Sequence, residues 1–160
     1  MDLLDRLLGF DHWATARLLD LSRDLTDAQL DQPFDVGLAT LRTTFEHLIF
    51  NIDFWRLQMT GQPVTTERDR HLPVTALIER HERAQASFAA LARRSRDEGR
   101  LDDTFVDHFG YPQTLGGTVL HVAAHNQEHR TEARHILQRL GVPDLPDLYP
   151  QEWEHETGVV

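Results

Sequence analysis

Three histidines follow one another at steps of four in the segment His121-Val122-Ala123-Ala124-His125-Asn126-Gln127-Glu128-His129-Arg130. Residues four apart on a helix lie on one face, one turn above the other. Two imidazoles so placed can hold one metal ion from a single helix. A bare H-x-x-x-H is common by chance; three histidines in this register are rarer. The chain carries ten histidines in 160 residues and no cysteine, so its chemistry is that of imidazole and carboxylate. No disulfide, thiolate nucleophile or thiolate metal site is available to it.

A helical wheel chooses between the two overlapping pairs. At about 100° per residue, with His125 at zero, Val122, Ala133, Ile136 and Leu140 cluster to one side, the buried direction. His129 falls inside that cluster at about 40°, and His121 falls about 40° the other way. The pair His125/His129 is therefore favoured over His121/His125, with His121 left as a ligand, a neighbour or a solvated residue. A helix-borne pair needs a third protein ligand. His47 is the candidate, set in a mixed polar stripe with Thr44, Asn51, Phe54 and Gln58 beside the apolar stripe Leu41/Leu48/Trp55. The bland alternative for His47 is a boundary residue bonded to solvent. His12, with Leu8, Ala16 and Leu19, and His81, with Leu77, Ile78, Ala84 and Phe88, read first as core histidines. Together with His108, Tyr111 and His121 they are the candidates for lining a cavity above a metal. His71, His135 and His155 read as loop or surface residues.

Other chemistries lack their motifs. No glycine-rich phosphate loop precedes a helix, and no G-x-S-x-G occurs. A di-iron carboxylate site needs Glu-x-x-His from two helices. Glu132-Ala133-Arg134-His135 has that offset, but Glu46 adjoins His47 directly and no second motif exists. The formal net charge of -10 opposes phosphate-neutralising contacts, so nucleic acid is not an expected partner. All sixteen basic residues are arginine, which reads as compositional bias. No apolar run approaches the ~20 residues of a membrane span, and the start, Met1-Asp2-Leu3-Leu4-Asp5-Arg6, has no basic-then-apolar leader. The expectation is a cytoplasmic protein with no membrane partner.

The elements that must position these histidines follow from periodicity. Helices are predicted over about 2–24, 40–60, 73–98 and 118–140, with a capped turn at Thr26-Asp27-Ala28-Gln29. Gly61, Gly99 and Gly141 stand as terminators. Thr65–Leu72 reads as a polar crossover loop. Residues 104–115, around His108-Phe109-Gly110, read as a small hairpin-like excursion. Residues of about 144–160, with Pro146 and Pro150, read as an extended strap. Four long helices in 160 residues predict one domain, an all-α four-helix bundle.

With these residues in hand, the chain resembles the DinB/YfiT-like metalloenzyme family over most of its length. The resemblance lies in His12-Trp13-Ala14-Thr15-Ala16-Arg17-Leu18-Leu19, in Thr43-Thr44-Phe45-Glu46-His47-Leu48 followed by Trp55 and Gly61, and in His121 to Arg130 with Leu137 to Gly141. It implies up-up-down-down connectivity and one divalent metal ion on His47, His125 and His129. It also implies homodimers, a stress-response setting and kinship in fold with thiol-dependent transferases. Where the family commonly has His-His-Arg-Gly-Gln, this chain has Glu128-His129-Arg130-Thr131-Glu132. Glu132 is either a partner that orients a ligand imidazole or a solvated carboxylate. Zinc is the default ion, with nickel, copper, manganese or iron as alternatives. The functional expectation is thiol-dependent S-transfer to a small electrophile, the thiol arriving as a small-molecule cosubstrate. The alternatives are metal-dependent hydrolysis and non-catalytic binding of a metal or ligand.

Overall fold

The structure is a computed structural model and describes residues 1–64 and 70–160. The crossover loop expected over Thr65–Leu72 therefore lies, for 65–69, outside the described residues. Among the described residues, six helices and one hairpin follow in order: α1 (Leu3–Leu21), α2 (Asp27–Leu30), α3 (Leu41–Met59), α4 (Val74–Asp97), β1 (Thr104–Val106), β2 (Pro112–Thr114), α5 (Leu115–Arg139) and α6 (Pro150–Glu156). Side-chain caps start several of them. Asp2 accepts from the Asp5 N–H, Thr40 from Thr43, and Thr114 from Gly117. Thr26 and Gln29 form the reciprocal capping box that the sequence announces.

The four long helices bury one apolar core built from, among others, Leu18, Leu19, Leu41, Phe45, Leu48, Ile52, Leu77, Phe88, Val122 and Ile136. The fold is thus an all-α four-helix bundle with a small hairpin. Both α1 and α3 pack between α4 and α5.

Helix directions correct the up-up-down-down expectation. Asp2 and Asp5 pair with Arg96 and Arg93, while Asp11 meets Gln85, so α1 and α4 are antiparallel. Asp11 and Thr15 meet Arg130, and Leu3 and Leu7 line a groove with Gly116 and Leu120, so α1 and α5 are parallel. His47 meets His125 and Trp55 meets His121, making α3 and α5 antiparallel. Arg42 near the start of α3 donates to the Leu72 carbonyl just before α4, so α3 and α4 run together. The order is up-down-down-up. One long crossover, between α3 and α4, suffices for it, whereas up-up-down-down needs two.

Two boundaries also differ from expectation. Helix α5 begins at Leu115, a turn earlier than the apolar pattern indicates. Its first N–H groups are not orphaned, since Leu115 donates to the Asp103 carbonyl and Gly116 to that of Leu101. Gly116 fits here because a Cβ would press on Leu101. The C-terminal segment is not extended throughout. From Pro150, suited to a first helical turn, it forms α6. Buried Trp153 of α6 packs on Gly9 of α1, where any side chain would collide with the indole.

The bundle also buries a polar knot. Asp11, 3% exposed, accepts from Arg130 at 2.5 Å, Gln85 at 2.7 Å and Asn126 at 2.8 Å, joining α1, α4 and α5. Removing one member of a buried charge pair strands the other, typically at about 3–5 kcal/mol. Asp11→Ala should lower unfolding free energy by about that amount in urea titration. Asp11→Asn, which keeps the hydrogen-bonding shape, should lose less.

His81 is fully buried nearby, and its pKa is pushed down to about 3 from an ordinary 6.5, first by burial and then by the charges of His12 and Arg130. The folded chain thus holds His81 neutral where the unfolded chain binds a proton. Stability should fall as pH drops below about 6.5, at about 1.4 kcal/mol per pH unit from this group, until the folded pKa is reached. Unfolding titrations in a chelating buffer between pH 7 and pH 4 should show a shallower slope for His81→Phe than for the parent.

Candidate metal centre

The facing sides of α3 and α5 bring His47, His125 and His129 together. His125 Nε2 lies 3.1 Å from His47 Nε2 and 3.2 Å from His129 Nε2. Among the described residues, these three form a cluster with ligand atoms all within 4.8 Å of one another. Nitrogens bound about 2.05 Å from a tetrahedral ion sit about 3.3 Å apart, and about 2.9 Å in an octahedral face. The observed spacings fall between these values.

Protons alone do not satisfy this arrangement. A ring nitrogen offers one in-plane position, either an N–H or a lone pair. His125 Nε2 has two neighbours at hydrogen-bond distance and can serve only one of them. The outer nitrogen of His129 settles its tautomer. Its Nδ1 lies 2.7 Å from Glu132 Oε2, an acceptor, so Nδ1 carries the proton and Nε2 turns a lone pair toward the other two rings. This carboxylate–histidine pairing is the arrangement that orients metal-ligating imidazoles. The donor set and its spacing therefore fit one divalent ion, with positions left over that no protein group of the cluster fills.

Burial and the neighbouring imidazoles favour the neutral form of His125. His125 is pushed down to about 4, by burial first and then by the neighbouring His129, His47 and His121. A neutral imidazole is the form that ligates. His125 Nδ1 is itself buried without a hydrogen-bond partner among the described residues.

Glu132 is held by the loop before α3. Gly37, in the left-handed region at φ +47°, packs directly on the carboxylate, and a Cβ there would land inside it. Asp35 of the same loop pairs with Arg139 at 2.5 Å, fastening the loop to the end of α5. Solvent reaches His47 through a cleft of about 300 Å³ whose other walls include Leu38, Arg42, Thr43, Glu46, Arg70 and His71. Glu46 accepts from the Leu72 N–H at 3.0 Å, tying the end of the crossover to this wall.

The remaining candidates are distributed more widely. His121 stands one turn from His125, with ring centroids 6.0 Å apart, and packs edge-on to Trp55 at 5.0 Å. His108 lies at the hairpin against Phe54 and Phe109, and Tyr111 is exposed. His12 and His81 stack on each other between α1 and α4, whereas the three-histidine cluster sits between α3 and α5. Sequence reasoning missed Gly37 and the Asp11–Arg130 knot. An aspartate preceding a candidate core histidine, at position 11, was the available signal for the knot.

The model of the DinB superfamily matches residues 11–133, a span that contains all three histidines and Glu132. The crystal structure of a DinB-like protein from Bacillus cereus is similar at a TM-score of 0.67 and 20% identity, covering 88% of this chain and 91% of that one. At that identity the likeness is one of fold. No curated protein matches. No described helix is long and apolar enough to cross a membrane. With its family match running across the bundle and the site alike, the chain belongs to the DinB superfamily.

Proposed function

We propose that the protein is a metal-dependent enzyme that holds one divalent ion on His47, His125 and His129 and transfers a small-molecule thiol to a small electrophile. The observation that carries this reading is the approach of three ring nitrogens to one point, with His129 already fixed in its ligating tautomer by Glu132. Three imidazoles suit zinc first, and nickel or iron next. When bound, such an ion acts as a Lewis acid that favours the deprotonated form of a thiol or water beside it.

The chain's own residues supply the rest. Glu132 orients His129 and offsets part of the cation's charge. The cleft beside His47 admits a small molecule, with Arg70 and His71 at its wall as hydrogen-bond donors. The chain has no cysteine, so the attacking sulfur comes from a cosubstrate. In the transfer, a sulfur–carbon bond forms, the electrophile's leaving group departs with its bonding pair, and the thiol proton passes to solvent.

Metal content is the first check. Tag-free protein purified without a chelating column and loaded with zinc should retain one tightly held ion that His129→Ala loses. Glu132→Gln should weaken zinc by about 10–100-fold. Gly37→Ala should weaken it in the same direction, because the new Cβ displaces the Glu132 carboxylate. Binding should also weaken as pH falls toward about 4, where protons compete for the His125 imidazole.

The reaction is checked separately. Zinc- and nickel-loaded protein, incubated with low-molecular-weight thiols and alkyl or aryl electrophiles, should yield thioether that neither the stripped protein nor His47→Ala makes. Ester or amide cleavage in place of conjugation would move the assignment to hydrolysis. Tight metal binding with neither activity would leave a metal- or ligand-binding protein.

A further inference from the structure

A second group of metal-ligating side chains comes together on the other side of the bundle. His12 of α1 and His81 and Glu82 of α4 place their ligand atoms within 4.8 Å of one another. We propose that these three residues form a second divalent-cation site, independent of the three-histidine centre.

Two observations carry it. His81 is 0% exposed, yet neither of its ring nitrogens has a hydrogen-bond partner among the described residues, and His12 Nδ1 has none either. Buried polar atoms are ordinarily paired, and exceptions call for an explanation such as an ion. A cation on one His81 nitrogen uses a lone pair that otherwise points at nothing.

The second observation is charge and access. Glu82 Oε2 lies 3.5 Å from His12 Nε2 and brings negative charge to the pair. The nearby cation, Arg130, is already matched by Asp11 at 2.5 Å. The side chains of His12 and Glu82 are 39% and 53% exposed, so an ion meets these two ligands from solvent and reaches buried His81 once the His12 ring turns aside.

The donor set selects the class of ion. Two imidazoles and one carboxylate suit zinc and its first-row neighbours, whereas magnesium and calcium prefer all-oxygen shells. The His12 and His81 rings stack at 5.2 Å and within 7° of parallel. Lone pairs lie in the ring planes, so parallel rings do not aim at a common point. Binding therefore turns the half-exposed His12 ring about its soft Cβ–Cγ torsion while His81 stays packed. That rearrangement makes this site weaker than the three-histidine centre, whose nitrogens already converge.

Equilibrium dialysis of tag-free protein against buffered zinc tests the site, with bound metal counted per chain. The parent should take up a second, weaker equivalent. His12→Ala and Glu82→Gln should each weaken that equivalent by roughly tenfold or more while leaving the tight one in place. Both change part-exposed side chains, and circular dichroism confirms that each folds; Glu82→Gln alone suffices if the other does not. Loading with Co²⁺ adds a spectroscopic reading, since the two donor sets give different visible absorption. A parent that binds only the equivalent removed by His129→Ala overturns the second site and leaves the first. Two equivalents unaffected by either variant overturn it as well, by assigning the second ion to surface histidines. One equivalent that survives His129→Ala and is lost in Glu82→Gln supports this site and overturns the reading of the other. No uptake at all overturns both.

Discussion

The angular setting of α5 is the constraint on which the rest depends. Two successive turns of this helix each present a pair of neighbouring polar residues, His125-Asn126 and His129-Arg130. Adjacent residues point about 100° apart around a helix. In this bundle α5 has α3 on one side and α1 on another. The histidine of each pair faces α3, where His47 waits, and its neighbour faces α1, where Asp11 accepts from both Asn126 and Arg130. One roll angle meets both demands. A roll of a few tens of degrees would break the Asp11 contacts and spread the imidazoles. The buried charge pair therefore acts on the site through rotation, holding α5 where its histidines converge.

This division also explains why α5 lacks a strongly apolar face. Asn126, His129 and Arg130 are all buried, at 0%, 9% and 2% exposure, alongside Val122, Ala133, Ile136 and Leu137. Buried polar groups hold their place only when paired. Asp11 and Glu132 supply the pairing in large part, one from across the bundle and one from the next turn of the same helix. Where the superfamily resemblance leads one to expect glycine and glutamine after the arginine, Thr131 and Glu132 stand, and Glu132 has become part of the site. Its formal charge matters. Neutral imidazoles carry none, so a divalent ion held by three of them keeps its full charge unless a carboxylate lies behind a ligand. Glu132, 2.7 Å from His129 Nδ1, is that carboxylate.

Much of this was legible in the sequence, for local reasons. Helical periodicity and glycine terminators located four long helices. The i, i+4 spacing and the direction of Val122, Ala133 and Ile136 singled out His125 and His129 over His121, and the structure places those two with His47. Helix direction was not legible, because periodicity says which face is buried and nothing about which neighbour buries it. The up-down-down-up order rests on pairs such as Asp5–Arg93 and Asp11–Arg130, separated by 88 and 119 residues. The start of α5 was misplaced because Gly116 and Gly117 weaken its first turn locally, while hydrogen bonds from the chain before the hairpin restore it. Helix α6 was hidden by prolines that read as breakers, although Pro150 occupies a position where proline starts a helix.

His12 and His81 show where single-residue reading stops. Each alone is a histidine on an apolar face, most simply a core residue. The antiparallel packing of α1 and α4 sets one ring on the other and adds Glu82, and burial keeps His81 neutral down to about pH 3. The contrast with the first cluster is geometric. In both, imidazoles approach within a few ångströms, but at the first centre the rings cross at 46° to 81°, so their planes intersect, and His125 Nε2 lies 3.1 and 3.2 Å from the other two Nε2 atoms. Stacked rings have no such intersection. Ring-plane angle, more than nitrogen separation, thus distinguishes a site organised before an ion arrives from one that must rearrange to receive it. By that criterion the α3/α5 cluster is the better preorganised of the two, and a preorganised ligand set spends less of its binding strength on ordering its own side chains.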